Sequence, residues 1–289
     1  MTSKQLEQAY GSTPPTPPFP KSVVAVSPRK KENILAQIRN TKTLKIAMRT
    51  DAAPFGYVDA QKNLWKGYCE DLADSLGKHL AQKLNIPSGI KVVKLPSSLE
   101  NRFELVRENT VHLECGPNTI RTDQKNIRFS EPFFVSGTRF LVRNDKAPKI
   151  NLNSNLAEIR TGVLRDSTTA KFLQETYPQT KVVDFQGKKG RTNGVKAVTN
   201  GKVDAFVSDG VLLAAEIARQ NLSPDNYQLI PEKPLTCDYY GLVLPEGDSE
   251  WQNTVNVFLR FQQLQNKSLE EYSSLAVNDA DYCLNRQRK

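Results

Sequence analysis

Apolar residues recur every four positions at Leu72, Leu76, Leu80 and Leu84, the repeat of one helix face, and predict a helix from Tyr68 to Leu84. Short apolar runs around it predict strands at Leu44 to Met48, Ile90 to Leu95 and Val111 to Cys115, with helices near Glu32 to Arg39 and Leu99 to Glu108. The alternation restarts after the apolar segment Phe133 to Val142. Strands are predicted at Gly162 to Leu164, Val182 to Phe185 and Ala205 to Ser208, separated by helices at Thr168 to Tyr177 and Asn193 to Asn200 and followed by one at Val211 to Gln220. Strands at Tyr227 to Ile230 and Tyr240 to Leu244, then helices at Trp251 to Leu264 and Leu269 to Leu275, close the chain. Strand–helix alternation predicts sheets flanked by helices, and its restart predicts two α/β lobes.

A length of 289 residues suits two domains of ordinary size. Hydrophobic content of 38% and charged content of 25% are those of a globular chain, and no apolar run approaches the ~20 residues that cross a bilayer. Residues 11–20, GSTPPTPPFP, carry five prolines, so residues 1–31 are expected to form an extended tail. The opening MTSKQLEQAY lacks the apolar core of a secretory signal, which leaves either an intracellular protein or a mature form with its export signal removed.

The formal charge of +9 is spread along the chain without a recognition helix, zinc-finger spacing or aromatic RNA-binding motif, so no nucleic-acid partner is expected. Cys69, Cys115, Cys237 and Cys283 include no close pair, which argues against a metal site; buried thiols and any of the three disulfide pairings stay open. His79 and His112 are the only histidines, and no GxSxG, HExxH or GxxxxGK[ST] occurs. No catalytic residue, metal or cofactor is expected. The chemistry falls instead to Gly116, Pro117, Asn118 and Thr119, turn-forming residues at the end of a predicted strand, where ligands of α/β sheets bind. Ser167, Thr168 and Thr169 open a predicted helix, a place that favours an anion. Asp209 precedes another helix, where capping and ligand binding are both open to it.

APFGY at Ala53 to Tyr57, Gly67-Tyr68, ECG at Glu114 to Gly116, FSEPFF at Phe129 to Phe134, GTRFLV at Gly137 to Val142 and AFVSDG at Ala205 to Gly210 follow one another in a specific order. In that order they resemble the amino-acid-binding proteins of bacterial ABC importers, solute-binding family 3, over roughly residues 44–275. The ECG and GTRFLV pieces look most like the glutamate/aspartate-binding branch. The resemblance implies a two-lobed periplasmic-binding-protein, or Venus-flytrap, fold joined by two hinge strands. Residues 32–137 and 236–289 would form lobe I and residues 138–235 lobe II. It further implies an extracytoplasmic monomer that closes over one amino acid and delivers it to a membrane permease. A cyclohexadienyl-dehydratase-like enzyme on the same fold and the sensing domain of a receptor are the alternatives.

Carried onto this sequence, the resemblance gives Asp209 the ligand's α-ammonium, and Ser167, Thr168 and Thr169 its α-carboxylate. Arg49 and Arg102 would hold a side-chain carboxylate, with Arg191, eighteen residues before Asp209, as a third contact. The family's Thr followed five positions on by Arg is not met, since that count from Thr119 reaches Gln124. Arg121 is the nearest cation. Phe55 and Tyr57 are expected to line the first-lobe wall, and Glu114 to stand at the cleft edge.

Overall fold

The computed structural model describes residues 33–59, 62–265, 279, 282, 283 and 285. The expected tail at 1–31 and the helix at Leu269 to Leu275 lie outside the described residues. The first half runs α1 (Ile34–Thr41), β1 (Thr43–Arg49), a small meander of β2 (Asp51–Ala52), β3 (Gly56–Val58) and β4 (Trp65–Lys66), α2 (Tyr68–Lys83), β5 (Lys91–Ser97), α3 (Arg102–Arg107), β6 (Leu113–Cys115) and β7 (Ile127–Phe129). Then come β8 (Phe134–Ser136), β9 (Thr138–Arg143), a single 3-10 turn, β10 (Arg160–Leu164), α4 (Thr168–Thr176), β11 (Lys181–Phe185), α5 (Gly190–Thr199), β12 (Ala205–Asp209) and α6 (Gly210–Arg219). The chain continues through β13 (Tyr227–Ile230), β14 (Asp238–Tyr240), β15 (Val243–Pro245) and α7 (Ser249–Gln265).

Two five-stranded sheets result, in the orders β5-β1-β6-β15-β7 and β11-β10-β12-β9-β13. In each, three strands run parallel and one inserted strand is antiparallel to both its neighbours: β15 between β6 and β7 in the first sheet, β9 between β12 and β13 in the second. Such a sheet is covered on both faces, so its middle strands read as apolar runs. The core accordingly splits around the sheets: α2 lays Leu72, Leu76 and Leu80 on one face of the first, and α3 lays Phe103 and Val106 on the other. Leu173 of α4 and Val195 and Val198 of α5 fall on opposite sides of the second sheet.

The apolar segment from Phe133 to Val142 is two strands, not one. β8 pairs with β14 in a separate two-stranded ribbon, while β9 enters the second sheet. Gly137 stands between them because a Cβ there would lie 1.9 Å from the Thr236 carbonyl oxygen, leaving no space for any other residue. The predicted strand Tyr240 to Leu244 is likewise broken, since Gly241 and Leu242 separate β14 from β15. β8 and β14 are the ribbon at which the chain passes between the sheets.

All four cysteines are bonded. Cys69, in the first turn of α2, pairs with Cys115 at the end of β6, and Cys237, beside β14, pairs with Cys283. The Trp251 indole donates to the His112 carbonyl at 2.9 Å, which docks α7 on the first sheet.

Candidate functional site

The carboxyl ends of β1 and β6 and the amino ends of α3, α4 and α6 converge on one cleft between the two sheets. From the first-sheet side it is lined by Arg49, Leu99, Arg102, Pro117, Thr119 and Arg121. Opposite stand Ser167, Thr168, Thr169, Arg191 and Asp209, with Leu164, Ser208 and Leu212 filling between them. The enclosed volume is about 30 Å³. That is room for about two waters.

The cations dominate its electrostatics. Arg49, Arg102 and Arg191 are 1%, 5% and 6% exposed. Arg49 forms a two-pronged pair with Asp51, Nε to Oδ1 at 2.8 Å and Nη2 to Oδ2 at 2.9 Å. Burial works against its charge, but Asp51, helped by Glu114 and Glu100, outweighs it and holds Arg49 above its ordinary pKa. Arg102 has no such partner. Its Nη1 donates to the Leu99 carbonyl, its guanidinium lies 4.3 Å from the Phe103 ring centre and its Nε is buried without a hydrogen bond. Burial, reinforced by the neighbouring charge of Arg49, pushes Arg102 down to about 9. Arg191 crosses the cleft to donate from Nη1 to the Asp51 carbonyl at 2.9 Å, its Nε also lacks a partner, and burial lowers its pKa. Among the described residues, no carboxylate forms an ion pair with Arg102 or Arg191.

Arg121 reaches the same cleft, with its Nε 3.1 Å from Asp123 and its guanidinium 5.2 Å from the Phe103 ring. Thr119 and Thr168 face each other across the gap at 3.5 Å. Ser167 is the helix cap, its Oγ accepting from the Ala170 amide at 3.0 Å and donating to the Leu164 carbonyl at 2.7 Å. Thr169 donates to Asp209 at 3.4 Å. Asp209 occupies the N-cap position of α6, yet its side chain makes no capping bond. It accepts from the Tyr240 hydroxyl and Thr169, and burial raises its pKa.

Three candidate binding residues, Phe55 and Tyr57 of the expected wall and Asn118 of the expected turn, lie elsewhere. Phe55 is fully buried in an aromatic cluster, its ring 5.0 Å from Phe134 and 5.3 Å from Tyr240, because the small meander folds it inward. Tyr57 is half-buried outside the cleft lining, its ring 5.1 Å from the Arg219 guanidinium. Asn118 points back into the first lobe, donating from Nδ2 to Glu114 at 2.6 Å and to the Gly116 carbonyl at 3.2 Å. Glu114 is not at the cleft edge either. It is a buried residue of β6, where it also accepts from Ser97 at 2.7 Å and burial raises its pKa. The histidines are structural: His112 Nδ1 accepts from the Lys45 amide, and the His79 ring packs 5.4 Å from Phe258.

Asp51 escaped the sequence reasoning, although its spacing of two from Arg49 is what lets the two side chains meet. Asp238 also did. It follows Cys237 on the hinge ribbon, and alternation along β14 turns it and Tyr240 to the same face.

Comparison with known proteins gives this geometry a lineage. The chain is 27% identical to a glutamate/aspartate import solute-binding protein of Escherichia coli over 225 residues, covering 77% of this chain and 72% of that one. It is 26% identical over 224 residues to an L-glutamate/L-aspartate-binding protein of Pseudomonas aeruginosa, with the same coverages. Among solved structures, an ancestral amino-acid-binding protein described as a precursor of cyclohexadienyl dehydratase superposes with a TM-score of 0.68 at 24% identity, over 83% of this chain and 96% of that one. The fold is therefore the two-lobed one of periplasmic amino-acid-binding proteins. Residues 44–273 match the model of the bacterial extracellular solute-binding proteins, family 3, and the chain belongs to that family.

Proposed function

We propose that this protein is the extracytoplasmic binding component of an ABC amino-acid importer, and that it takes an acidic amino acid, glutamate or aspartate, between its lobes. The observation that carries the proposal is the pair of buried guanidiniums, Arg102 and Arg191, that lack a carboxylate partner in a cleft where Arg49 already has one. An uncompensated buried charge costs several kcal/mol, and a guest carboxylate relieves that cost. Asp209 offers the opposite charge for an α-ammonium. A glutamate thus meets cations at one end and an anion at the other. In this reading residues 138–235 swing as lobe II against the rest, a membrane permease senses the closed form, and the chain acts as a monomer without catalysis.

Charge-assisted contacts of this kind are typically worth about 1.5 to 3 kcal/mol each. Thermal-shift panels of the common amino acids test the assignment, since a ligand at a hundred times its Kd adds about 2.7 kcal/mol of stability. Glutamate or aspartate should give the largest shift, and Arg102→Gln should abolish it. A shift from arginine or a neutral amino acid alone would overturn the acidic assignment, and turnover of a prephenate-like acid would overturn the non-catalytic one.

A further inference from the structure

Below the cleft floor lies a carboxylate with no role in the binding scheme so far. Asp238 is buried on β14, and both of its oxygens face threonine hydroxyls: Thr119 Oγ1 donates to Oδ1 at 3.3 Å, and Thr236 Oγ1 to Oδ2. Thr236 is already engaged as an acceptor of the Thr138 amide at 2.9 Å. Thr119 is differently placed. Its backbone bridges to Tyr240, with Ile120 N donating to the Tyr239 carbonyl at 2.8 Å and Gly241 N to the Asn118 carbonyl at 3.0 Å, so its hydroxyl is fixed between Asp238 and the cleft.

A hydroxyl has one hydrogen and two lone pairs, whereas an ionised carboxylate only accepts and an ammonium only donates. We propose that Asp238 is a positioning residue for the amino-acid ligand: ionised, it takes the Thr119 hydrogen and leaves the Thr119 oxygen as an acceptor aimed at the ligand's α-ammonium. Protonated Asp238 donates to Thr119 instead and turns the hydroxyl's hydrogen toward the cleft, against the ammonium. Ligand binding and ionisation of Asp238 then favour each other.

The surroundings make this proton available near neutrality. Burial, then the charges of Asp209 at the end of β12 and Asp279 from the C-terminal residues, push Asp238 up to about 7, against the lowering hydrogen bonds of Thr236 and Thr119. The nearby cations are directed at its neighbours: Arg191 acts on Asp209, and Arg139 pairs with Asp279 at 2.6 Å. Tyr240, on the same face of β14, donates to Asp209.

The inference rests on the amino-acid-binding reading but not on which amino acid binds, because every α-amino acid carries the ammonium. Calorimetric titration of the full chain with L-glutamate, L-aspartate, L-glutamine and L-arginine at about pH 8 identifies the tightest of the four, which is then titrated down to about pH 5.5. Wild-type affinity should fall by up to about tenfold per pH unit below about 7, a one-proton slope. Asp238→Asn, whose amide oxygen takes the Thr236 hydroxyl's hydrogen and so turns its NH2 to Thr119, should bind at least about tenfold more weakly at pH 8 and show no slope. Thr119→Val should also lose the slope while keeping the Asp238 carboxylate, and this arm stands if the Asp238 variant does not fold. A purely structural Asp238 would weaken binding equally at every pH and leave the slope intact. That result, or a full wild-type slope in Thr119→Val, would overturn the proposal. A non-acidic winner overturns the acidic assignment while the Asp238 arms still decide this inference, and silence from all four overturns both.

Discussion

At the scale of single residues, the cleft keeps buried charge at a cost to stability. Arg102 is held by stacking on Phe103 and one carbonyl rather than by an ion pair, and burial, only partly offset by Glu114 and Asp51, lowers its pKa. Replacing a buried charge by an apolar side chain of similar volume is often neutral or stabilising by about 1 to 4 kcal/mol. Arg102→Met should therefore raise the urea midpoint of the ligand-free protein while removing glutamate binding. Asp51→Ala should do the reverse to the fold, because it strands Arg49. A loss of about 3 to 5 kcal/mol is expected for a broken buried pair, measured in the same urea titration. Equal stability of both variants and wild type would show that neither guanidinium is under electrostatic stress.

Among the elements, the hinge ribbon is the most tightly specified. β8 and β14 cross where Gly137 meets the Thr236 carbonyl, and Cys237 beside β14 is tied to Cys283. Gly137→Ala should force the ribbon apart and cost about 2 to 4 kcal/mol, the range of overpacked or strained sites, as read by chemical denaturation. Each disulfide closes a separation of 46 residues, for which chain entropy predicts about 4 kcal/mol, so reduction should lower the Tm markedly. The helices and parallel strands were legible because α2 repeats Leu72, Leu76 and Leu80 on one face and β1 buries nearly every residue. The ribbon was not: the apolar ends of Phe133 to Val142 read as one segment, and only the Thr236 carbonyl, about a hundred residues away in sequence, explains the break at Gly137. Phe55, Tyr57 and Asn118 misled for a related reason. A residue beside a cleft in sequence can turn inward, as Phe55 does onto Phe134 and Tyr240.

For the whole molecule, two of the buried groups through which pH acts on the fold, Asp238 and His112, work with opposite sign. Asp238, raised to about 7 from an unfolded value near 3.8, contributes stability that is fully present below the unfolded value and lost as pH rises through 7. His112, lowered by burial to about 4 from 6.5 while its Nδ1 accepts from Lys45, contributes stability that is present above 6.5 and lost as pH falls toward 4. Between about pH 6.5 and 4 the two oppose each other. Relative to wild type, Asp238→Asn should lose more stability on acidification and His112→Gln less, in thermal unfolding of the ligand-free protein. Parallel pH profiles for all three would contradict both assignments.

In the proposed function the buried guanidiniums select the guest, and the sharpest discrimination is between glutamate and glutamine, which share a shape and differ in one charge. Calorimetric titration of the two at neutral pH puts the acidic-ligand cleft directly to the test. Glutamate should bind at least about a hundredfold tighter, as two charge-assisted contacts of about 1.5 to 3 kcal/mol require, and the gap should collapse in Arg102→Met. Glutamine binding as tightly as glutamate, or a gap untouched by the loss of Arg102, would contradict the account.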